Sequence, residues 1–241
     1  LAGTLTFPLK EGKYPAIVFA PGAGPQDRNY QGLFACLAEH LAKSGFVSLR
    51  FDKRGVGTSG GEPSSSASPD EVEDLEAAIQ FLSGQSIVNP AAIILIGHAK
   101  GAINAMHAAA KNDNIKGLVM MAPSVYPTPD IEARKEELQK IAKRAKWTDD
   151  YLDLVMRTVQ ETQYRVTGSA DDWTYILGKK CFLGDMRYDI TDKPYDGSIS
   201  TGLPILILQG KDPDDLTADG AASLDKIIAD AGNTRHTLTY Y

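Results

Sequence analysis

Cysteine and long hydrophobic runs are what this sequence has least of. It holds only two cysteines in 241 residues, Cys36 and Cys181, which is too few for a disulfide framework. Cys36 lies in a helical pattern, so we expect it to be a small buried hydrophobic side chain. No apolar run approaches the roughly 20 residues that are needed to cross a bilayer. The sequence therefore predicts no membrane span.

A recognisable signal peptide is also missing, and Leu1 is not an initiator methionine. This favours the cytoplasm and leaves secretion or a periplasmic location open. An excess of positive charge is absent too. The net charge is −6 at pH 7, with 23% of the residues charged, and this disfavours nucleic acid and anionic membranes as partners.

Metal and phosphate motifs are lacking as well. The four histidines and two cysteines do not have metal-ligand spacing. The glycine-rich stretch 55–61 lacks the lysine and the helix of a phosphate-binding loop. We therefore predict no metal and no cofactor. Nothing in the sequence indicates an oligomeric state.

What is present is an alternation of short apolar runs with amphipathic segments. The runs are rich in Val, Ile, Leu and Phe, as strands buried on both faces require. This alternation predicts an α/β fold with a mostly parallel central sheet and helices on both faces. We predict strands at residues 4–7, 16–20, 46–51, 92–96, 117–121, 204–208 and 236–240.

The intervening helices have readable ends and faces. Leu33, Leu37 and Leu41 recur at helical spacing before a capping glycine, Gly45. Ser68 opens a pattern typical of a capping box, with proline at the first helical position. Further apolar stripes follow, at Val72, Leu75, Ile79 and Leu82 and at Leu224, Ile227 and Ile228.

Residues 125–201 interrupt this alternation. We expect three helices there, beginning near Asp130, Thr148 and Ser169. An insertion between two parallel strands lies near the ligand crevice of such a sheet. We therefore predict a core of residues 1–124 and 202–241 with a helical cap at 125–201. The alternative is a packed helical appendage with no part in substrate choice.

One turn carries a chemical signature with its central residue replaced. Residues 91–101 read AAIILIGHAKG, an apolar run followed by Gly97, Ala99 and Gly101 at G-x-S-x-G spacing. That pattern presents a nucleophilic serine on a sharp turn between a strand and a helix. Ala99 has the place of the serine and carries no nucleophile. The alternative is an ordinary strand–helix turn.

Three motifs together make the chain resemble the α/β-hydrolase superfamily, in its bacterial carboxylesterase and serine-peptidase-like branch. They are PGAGPQDRN at 21–29, FDKRGVGTSGG at 51–61 and GHAKG at 97–101, and each follows a predicted strand. The resemblance covers almost the whole length. It implies a serine-type carboxylic ester hydrolase that cleaves small acyl esters through an acyl-enzyme. With Ala99 at the nucleophile position, this chain is expected to be inactive as written.

The resemblance also implies the other site residues. The backbone N–H groups of Ala23 and Lys100 would form the oxyanion hole. The catalytic acid would follow the strand at 204–208, as Asp212 or alternatively Asp214. The alternative for both carboxylates is a solvated loop.

A catalytic histidine is not identified. The family places it after the last strand, and none of the four histidines, His40, His98, His107 and His236, matches that position. Either the base lies beyond Tyr241 or it is absent.

Charged residues beside these motifs are expected to be structural. Asp27 and Arg28 suggest an ion pair, and Asp52 and Arg54 are expected to brace loops through charge-assisted hydrogen bonds.

Three functional hypotheses remain open. The first is the inactivated esterase, with Ala99 either natural or introduced and a small-molecule ester as substrate. The second is a natural non-catalytic relative that binds a small acyl or apolar ligand. The third is a peptidase or thioesterase on the same scaffold, since the triad chemistry would be shared.

Overall fold

The predicted apolar runs form one seven-stranded sheet. A computed structural model describes residues 1–62, 66–123, 131–171, 173–176, 179–183, 202–211 and 218–241. The strands of the sheet are β1 (Gly3–Thr6), β2 (Tyr14–Ala20), β3 (Val47–Phe51), β4 (Val88–His98), β5 (Ile115–Met121), β8 (Ile205–Gln209) and β9 (His236–Tyr240). Their order across the sheet is β1-β3-β2-β4-β5-β8-β9. The first strand runs antiparallel to β3, and the other neighbours are parallel.

This sheet confirms the predicted α/β class. Alternate residues of β2 point into two separate apolar clusters, Ala16 and Val18 into one and Ile17 and Phe19 into the other. Both faces of the sheet are therefore covered, as the continuous apolar runs require. The helices are α1 (Leu33–Lys43), α2 (Ser68–Ser83), α3 (Lys100–Ala110), α4 (Ile131–Arg144), α5 (Asp149–Gly168) and α6 (Ala218–Asp230).

Helix α1 covers one face, and α2, α3 and α6 contribute to the larger cluster on the other. The predicted stripe of α2 is confirmed, because Val72, Leu75, Ile79 and Leu82 are all buried. Leu224 and Ile228 of α6 are buried in the same cluster.

Two details of α1 differ from the prediction. Its buried residues are Phe34 and Ala38, whereas Leu33 is exposed. Cys36 is also exposed, so the expectation of a buried cysteine was wrong. The helix turns the Phe34 side toward the sheet, because Phe34 packs on Phe19 with ring centroids 4.8 Å apart. The other two leucines of the predicted stripe, Leu37 and Leu41, are half-buried and pack against the same cluster.

The start of α2 differs by one residue. The residue that precedes the helix is Ala67, and its N–H donates to the carboxylate of Asp70 (2.9 Å). The predicted cap, Ser68, is already the first helical residue. Asp70 thus supplies the bond that the capping pattern requires from the third helical position.

In its described residues, the insertion between β5 and β8 has two helices and a pair of antiparallel strands. Helices α4 and α5 occur as predicted, and the hydroxyl of Thr148 accepts the N–H of Tyr151 (3.3 Å) at the start of α5. The third predicted helix was wrong. The chain instead forms the antiparallel pair β6 (Trp173–Ile176) and β7 (Lys179–Phe182).

Local chemistry explains the hairpin. Strand β6 reads Trp-Thr-Tyr-Ile, and aromatic and β-branched residues favour strands. The hydroxyl of Ser169 accepts the N–H of Asp171 (3.0 Å) and so closes a turn instead of starting a helix. The division into a core and a cap at residues 125–201 stays a prediction.

In the described part of the chain, no helix is long and apolar enough to cross a membrane.

Candidate active site

The corner between β4 and α3 has a strained backbone. Ala99 lies there with φ 50° and ψ −121°, a conformation that residues with a Cβ rarely adopt. Its N–H donates to the carbonyl of Met121 on β5 (2.9 Å), and its carbonyl accepts the N–H of Ala102 (3.1 Å). Neighbouring backbone therefore holds the turn in place. Strain of this kind is concentrated at functional sites.

Two glycines allow the corner to form. A Cβ on Gly97 would lie 2.5 Å from the Cα of Ala102, and a Cβ on Gly101 would overlap the carbonyl oxygens of Ala20 and Pro21. Strand β4, helix α3 and the end of β2 consequently meet without intervening side chains. This close approach is the reason why the motif has glycine at both positions.

The corner lies where the strand order reverses. From β2 the chain adds β3 on one side and β4 on the other, and in open α/β sheets ligands bind at the carboxyl ends of the strands that flank such a point. Ala20 of β2 pairs with Gly97 of β4. The loop that follows β2 therefore starts beside the elbow, and a Cβ on Gly22 would lie 3.2 Å from the carbonyl oxygen of His98.

Both predicted oxyanion donors belong to this junction. Ala23 is exposed and follows Gly22 directly. Lys100 is the first residue of α3, and the N–H groups at a helix N-terminus point toward an approaching negative charge. Their role in binding an oxyanion stays a prediction.

A buried carboxylate braces the loop after β2 against the loop after β3. The Oδ1 atom of Asp52 accepts the backbone N–H (2.8 Å) and Nε (2.9 Å) of Arg28, and its Oδ2 accepts Nη2 of Arg28 (2.5 Å) and the N–H of Thr58 (3.1 Å). The side chain of Asp52 is 4% exposed. These bonds, those from Arg28 above all, hold the pKa of Asp52 far below its ordinary value. The predicted bracing role of Asp52 thus has a definite geometry.

Asp27 has a different task from the predicted ion pair. Its Oδ1 accepts the N–H groups of Asn29 (2.9 Å) and Tyr30 (2.8 Å) and so caps the turn that leads into α1. Arg28 pairs with Asp52 instead. A short side chain next to a turn bonds its own backbone more readily than a neighbouring guanidinium.

Three further ion pairs tie the loop after β3 to α2, and one of them joins Arg54 to Asp70 (3.1 Å). Arg54 donates to Asp74 through Nε (2.8 Å) and Nη2 (2.9 Å), so its predicted bracing role has a partner. Lys53 pairs with Glu71 at 2.5 Å, and Asn104 of α3 donates to the other oxygen of Glu71 at 2.8 Å. The sequence analysis did not foresee the group of Lys53, Glu71 and Asn104. Its only signal was a lysine beside the Asp52–Arg54 motif and a polar residue on the buried side of α3.

The family profile described as serine aminopeptidase, S33, matches residues 15–241. This chain belongs to the S33 family. Among individual proteins, it is 32% identical to the uncharacterized protein PA2218 of Pseudomonas aeruginosa over 161 residues, which are 62% of this chain and 42% of PA2218. It is 27% identical to esterase EstD of Thermotoga maritima over 135 residues, 54% of this chain and 32% of EstD. The match thus spans less than half the length of these curated relatives.

Solved structures share the fold of this S33 chain. Est1E from Butyrivibrio proteoclasticus, solved with ferulic acid bound, has a TM-score of 0.69 at 18% identity, and the match covers 100% of this chain and 84% of Est1E. Together with the family match, this shows an α/β-hydrolase fold. The resemblance inferred from the three motifs is confirmed at the level of family and fold.

Two histidines of the S33 chain lie on the elements that form the elbow, His98 at the end of β4 and His107 on α3. The Nδ1 atom of His98 shares a hydrogen bond with the hydroxyl of Tyr30 (2.7 Å), and burial lowers the pKa of this imidazole. Burial and, to a smaller extent, Lys111 lower the pKa of His107 on α3. Both rings therefore favour the neutral form.

The remaining two histidines are remote from the elbow in the topology. His236 is at the amino end of β9, where its Nδ1 lies 2.7 Å from the carbonyl of Asn233. His40 is an exposed residue of α1.

The predicted acid lies outside the described residues, because these stop at Lys211 and resume at residue 218. Asp212 and Asp214 therefore stay predictions. The strand that precedes them is in place: β8 ends at Gln209, and the N–H of Lys211 donates to the carbonyl of Tyr241 (2.9 Å). Within the described ranges, no group of three or more His, Cys, Asp and Glu side chains is arranged to hold a metal ion.

Proposed function

We propose that this S33 chain is the scaffold of a serine-type carboxylic ester hydrolase for small acyl esters, with Ala99 at the nucleophile position. The observation that carries this proposal is the backbone of Ala99, with φ 50° and ψ −121° between β4 and α3. A methyl group gains nothing from such a conformation. A serine hydroxyl at the same point would project from the apex of the turn toward an ester.

The reaction assigns a role to each predicted residue. A serine oxygen at position 99 would attack the acyl carbon, and a histidine would take its proton. The N–H groups of Ala23 and Lys100 would stabilise the negative charge on the carbonyl oxygen. Asp212, or alternatively Asp214, would orient the histidine. Ala99 removes the attacking atom, so no acyl-enzyme forms and only trace turnover is expected.

A non-catalytic binder of small acyl ligands is the second candidate. It is supported by the same alanine, which carries no nucleophile. The oxyanion donors are backbone groups, so they would bind a carboxylate or an ester carbonyl without any nucleophile. A peptidase or thioesterase is a third candidate, and the description of the family supports the peptidase. It differs from the esterase only in the leaving group.

Restoring the nucleophile tests the proposal. Ala99→Ser is compared with Ala110→Ser, the same change at the exposed last residue of α3. Both are made in the 241-residue chain and in a chain extended by any residues that its gene encodes after Tyr241. Turnover of p-nitrophenyl butyrate and covalent labelling by a fluorophosphonate are measured.

The esterase proposal expects an acyl burst and a mass adduct at position 99 in the Ala99→Ser chain that carries a histidine after β9. The Ala110→Ser chain should show neither. Absence of burst and adduct from every form, combined with saturable binding of butyrate to the Ala99 chain, would favour the binder. A burst with an amino acid p-nitroanilide and none with the ester would favour the peptidase.

A further inference from the structure

A buried ion pair lies under the two loops of the elbow junction. The Nζ of Lys53 is 2.5 Å from Oε1 of Glu71, and the two side chains are 8% and 11% exposed. Ala20, Pro21, Phe51 and Leu75 line the small cleft around them. Charged groups removed from water in this way are costly to bury unless their remaining hydrogen bonds are also made.

Each end of this pair contacts one wall of the candidate site. The Nζ of Lys53 also donates to the carbonyl oxygen of Gly22 (3.0 Å), in the loop after β2. The other carboxylate oxygen of Glu71 accepts Nδ2 of Asn104 (2.8 Å), in the second turn of α3. A continuous chain of polar contacts therefore joins the loop after β2 to the helix that follows Ala99.

The bond to Gly22 has a directional consequence. The peptide between Gly22 and Ala23 is trans, so its carbonyl and its N–H point in opposite directions. Lys53 holds the carbonyl toward the buried side, beside α2. The N–H of Ala23 then points toward the exposed side, and Gly22 itself lies against the carbonyl of His98 at the elbow.

We infer that Lys53 is a positioning residue, which fixes the Gly22–Ala23 peptide so that the N–H of Ala23 faces the oxyanion position. This inference rests on the proposed function. Lys53 touches no substrate; it acts through the peptide plane. An ammonium group suits the task because it donates to Glu71 and to the carbonyl at once. Without it, the peptide is free to rotate its N–H away.

The test needs a variant that keeps the fold. Lys53→Met alone would leave Glu71 buried without its counter-charge, so it is combined with Glu71→Gln. The glutamine retains an oxygen that accepts from Asn104, and the pair becomes neutral. The matched control is Arg54→Met with Asp74→Asn. It removes the neighbouring ion pairs of Arg54 with Asp74 and Asp70, between the same loop and the same helix, and leaves Gly22 untouched.

The readout is binding of methyl butylphosphonate, a tetrahedral monoanion that resembles the charged intermediate. The Ala99 chain is used, so no catalysis is needed. Backbone amide signals of Ala23 and Lys100 are followed by NMR during titration, together with the carbonyl carbon of Gly22 in the free protein. In the parent chain and in the control, both amides should shift with the same Kd.

In the Lys53→Met/Glu71→Gln chain, we expect the carbonyl signal of Gly22 to change and the Ala23 amide to lose its response. The Lys100 amide should still shift, with a Kd at least about tenfold weaker, as loss of one hydrogen bond to a charged group predicts. If the Ala23 amide of the Lys53→Met/Glu71→Gln chain shifts as in the parent and with the same Kd, the role of Lys53 is overturned, while the proposed oxyanion site stands. If neither amide shifts in the parent chain, the oxyanion site fails and the inference with it.

Discussion

Charged residues are used differently at the carboxyl edge of the sheet and in α5 of the insertion. At the sheet edge, Arg28–Asp52 and Lys53–Glu71 join residues far apart in sequence, and their carboxylates are largely buried. In α5 the pairs are local. Arg157–Asp153 spans one helical turn at 3.6 Å, with the side chains 80% and 70% exposed.

The difference teaches which charges determine the geometry of the candidate site. Buried pairs with several hydrogen bonds hold loops at fixed positions, and removing one partner leaves an uncompensated group in a poorly solvated place. Exposed pairs one turn apart are screened by water and stabilise only their own helix. The predictions below separate these two uses of charge.

The largest effect is expected from Asp52→Asn. The amide would keep the shape of the carboxylate but would lose the charge that balances Arg28 and would turn an NH2 group toward it. We expect the free energy of unfolding to fall by about 3 kcal/mol. Urea unfolding followed by circular dichroism measures it. The matched change Asp153→Asn in α5 serves as control, and an equal loss in both variants would contradict the comparison.

Acid should weaken the same brace. The pKa of Asp52 lies far below its ordinary value in the folded chain, and an unfolded aspartate titrates near pKa ~3.9. A lowered folded pKa means that the stabilisation is present above about pH 4 and is lost as the pH falls below it. Between about pH 5 and pH 2, the parent should lose roughly 1–2 kcal/mol more than Asp52→Asn. Parallel stability curves for the two proteins would refute this assignment.

A smaller effect of opposite sign is expected at the elbow. Ala99→Gly relieves a positive φ, which costs about 1–3 kcal/mol for a residue with a Cβ, but it adds freedom to the unfolded chain. The net expectation is a chain more stable by about 1 kcal/mol. Ala110→Gly, at the regular end of α3, should instead cost about 0.5–1 kcal/mol. Thermal unfolding of the two variants measures both effects. Equal destabilisation by Ala99→Gly and Ala110→Gly would show that the corner is not strained.

The smallest effect is expected in α5. Glu161 accepts from Arg165 at 2.7 Å, and both side chains are exposed. Glu161→Gln should lower the free energy of unfolding by less than about 0.5 kcal/mol, and the difference should vanish at 1 M salt because the charges are screened. A loss of several kcal/mol would show that α5 depends on tertiary charge contacts as the sheet edge does.

Much of the fold could be predicted because its signals are local. The five inner strands were identified by runs rich in apolar residues, since a strand covered on both faces has to be largely apolar. The edge strands β1 and β9 were also located, although their residues are exposed or half-buried. Strand β4 begins at Val88, four residues before the predicted start at residue 92. The reason is that Val88 pairs with Tyr14 of β2, before a register shift in the pairing of these two strands. The hairpin β6–β7 was missed because its acidic approach resembled a helix start.

The candidate site was predicted in part. The G-x-A-x-G spacing located the elbow. Asp52 and Arg54 were expected to brace loops, and the structure gives each of them a charged partner. The contact of Lys53 with Gly22 and Glu71 could not be foreseen, since these residues lie on three separate elements. Spacing along a chain carries no information about partners 18 and 31 residues away that meet only after the sheet has formed.

Sequence alone determined the α/β class, the strand runs, the elbow and the alanine at its apex, because these depend on which residues follow one another. Tertiary structure decided which carboxylate pairs with Arg28, where α1 turns its apolar side and how the Gly22 carbonyl is held. Those outcomes depend on distances between separate elements, and such distances are set only when the two faces of the sheet are packed.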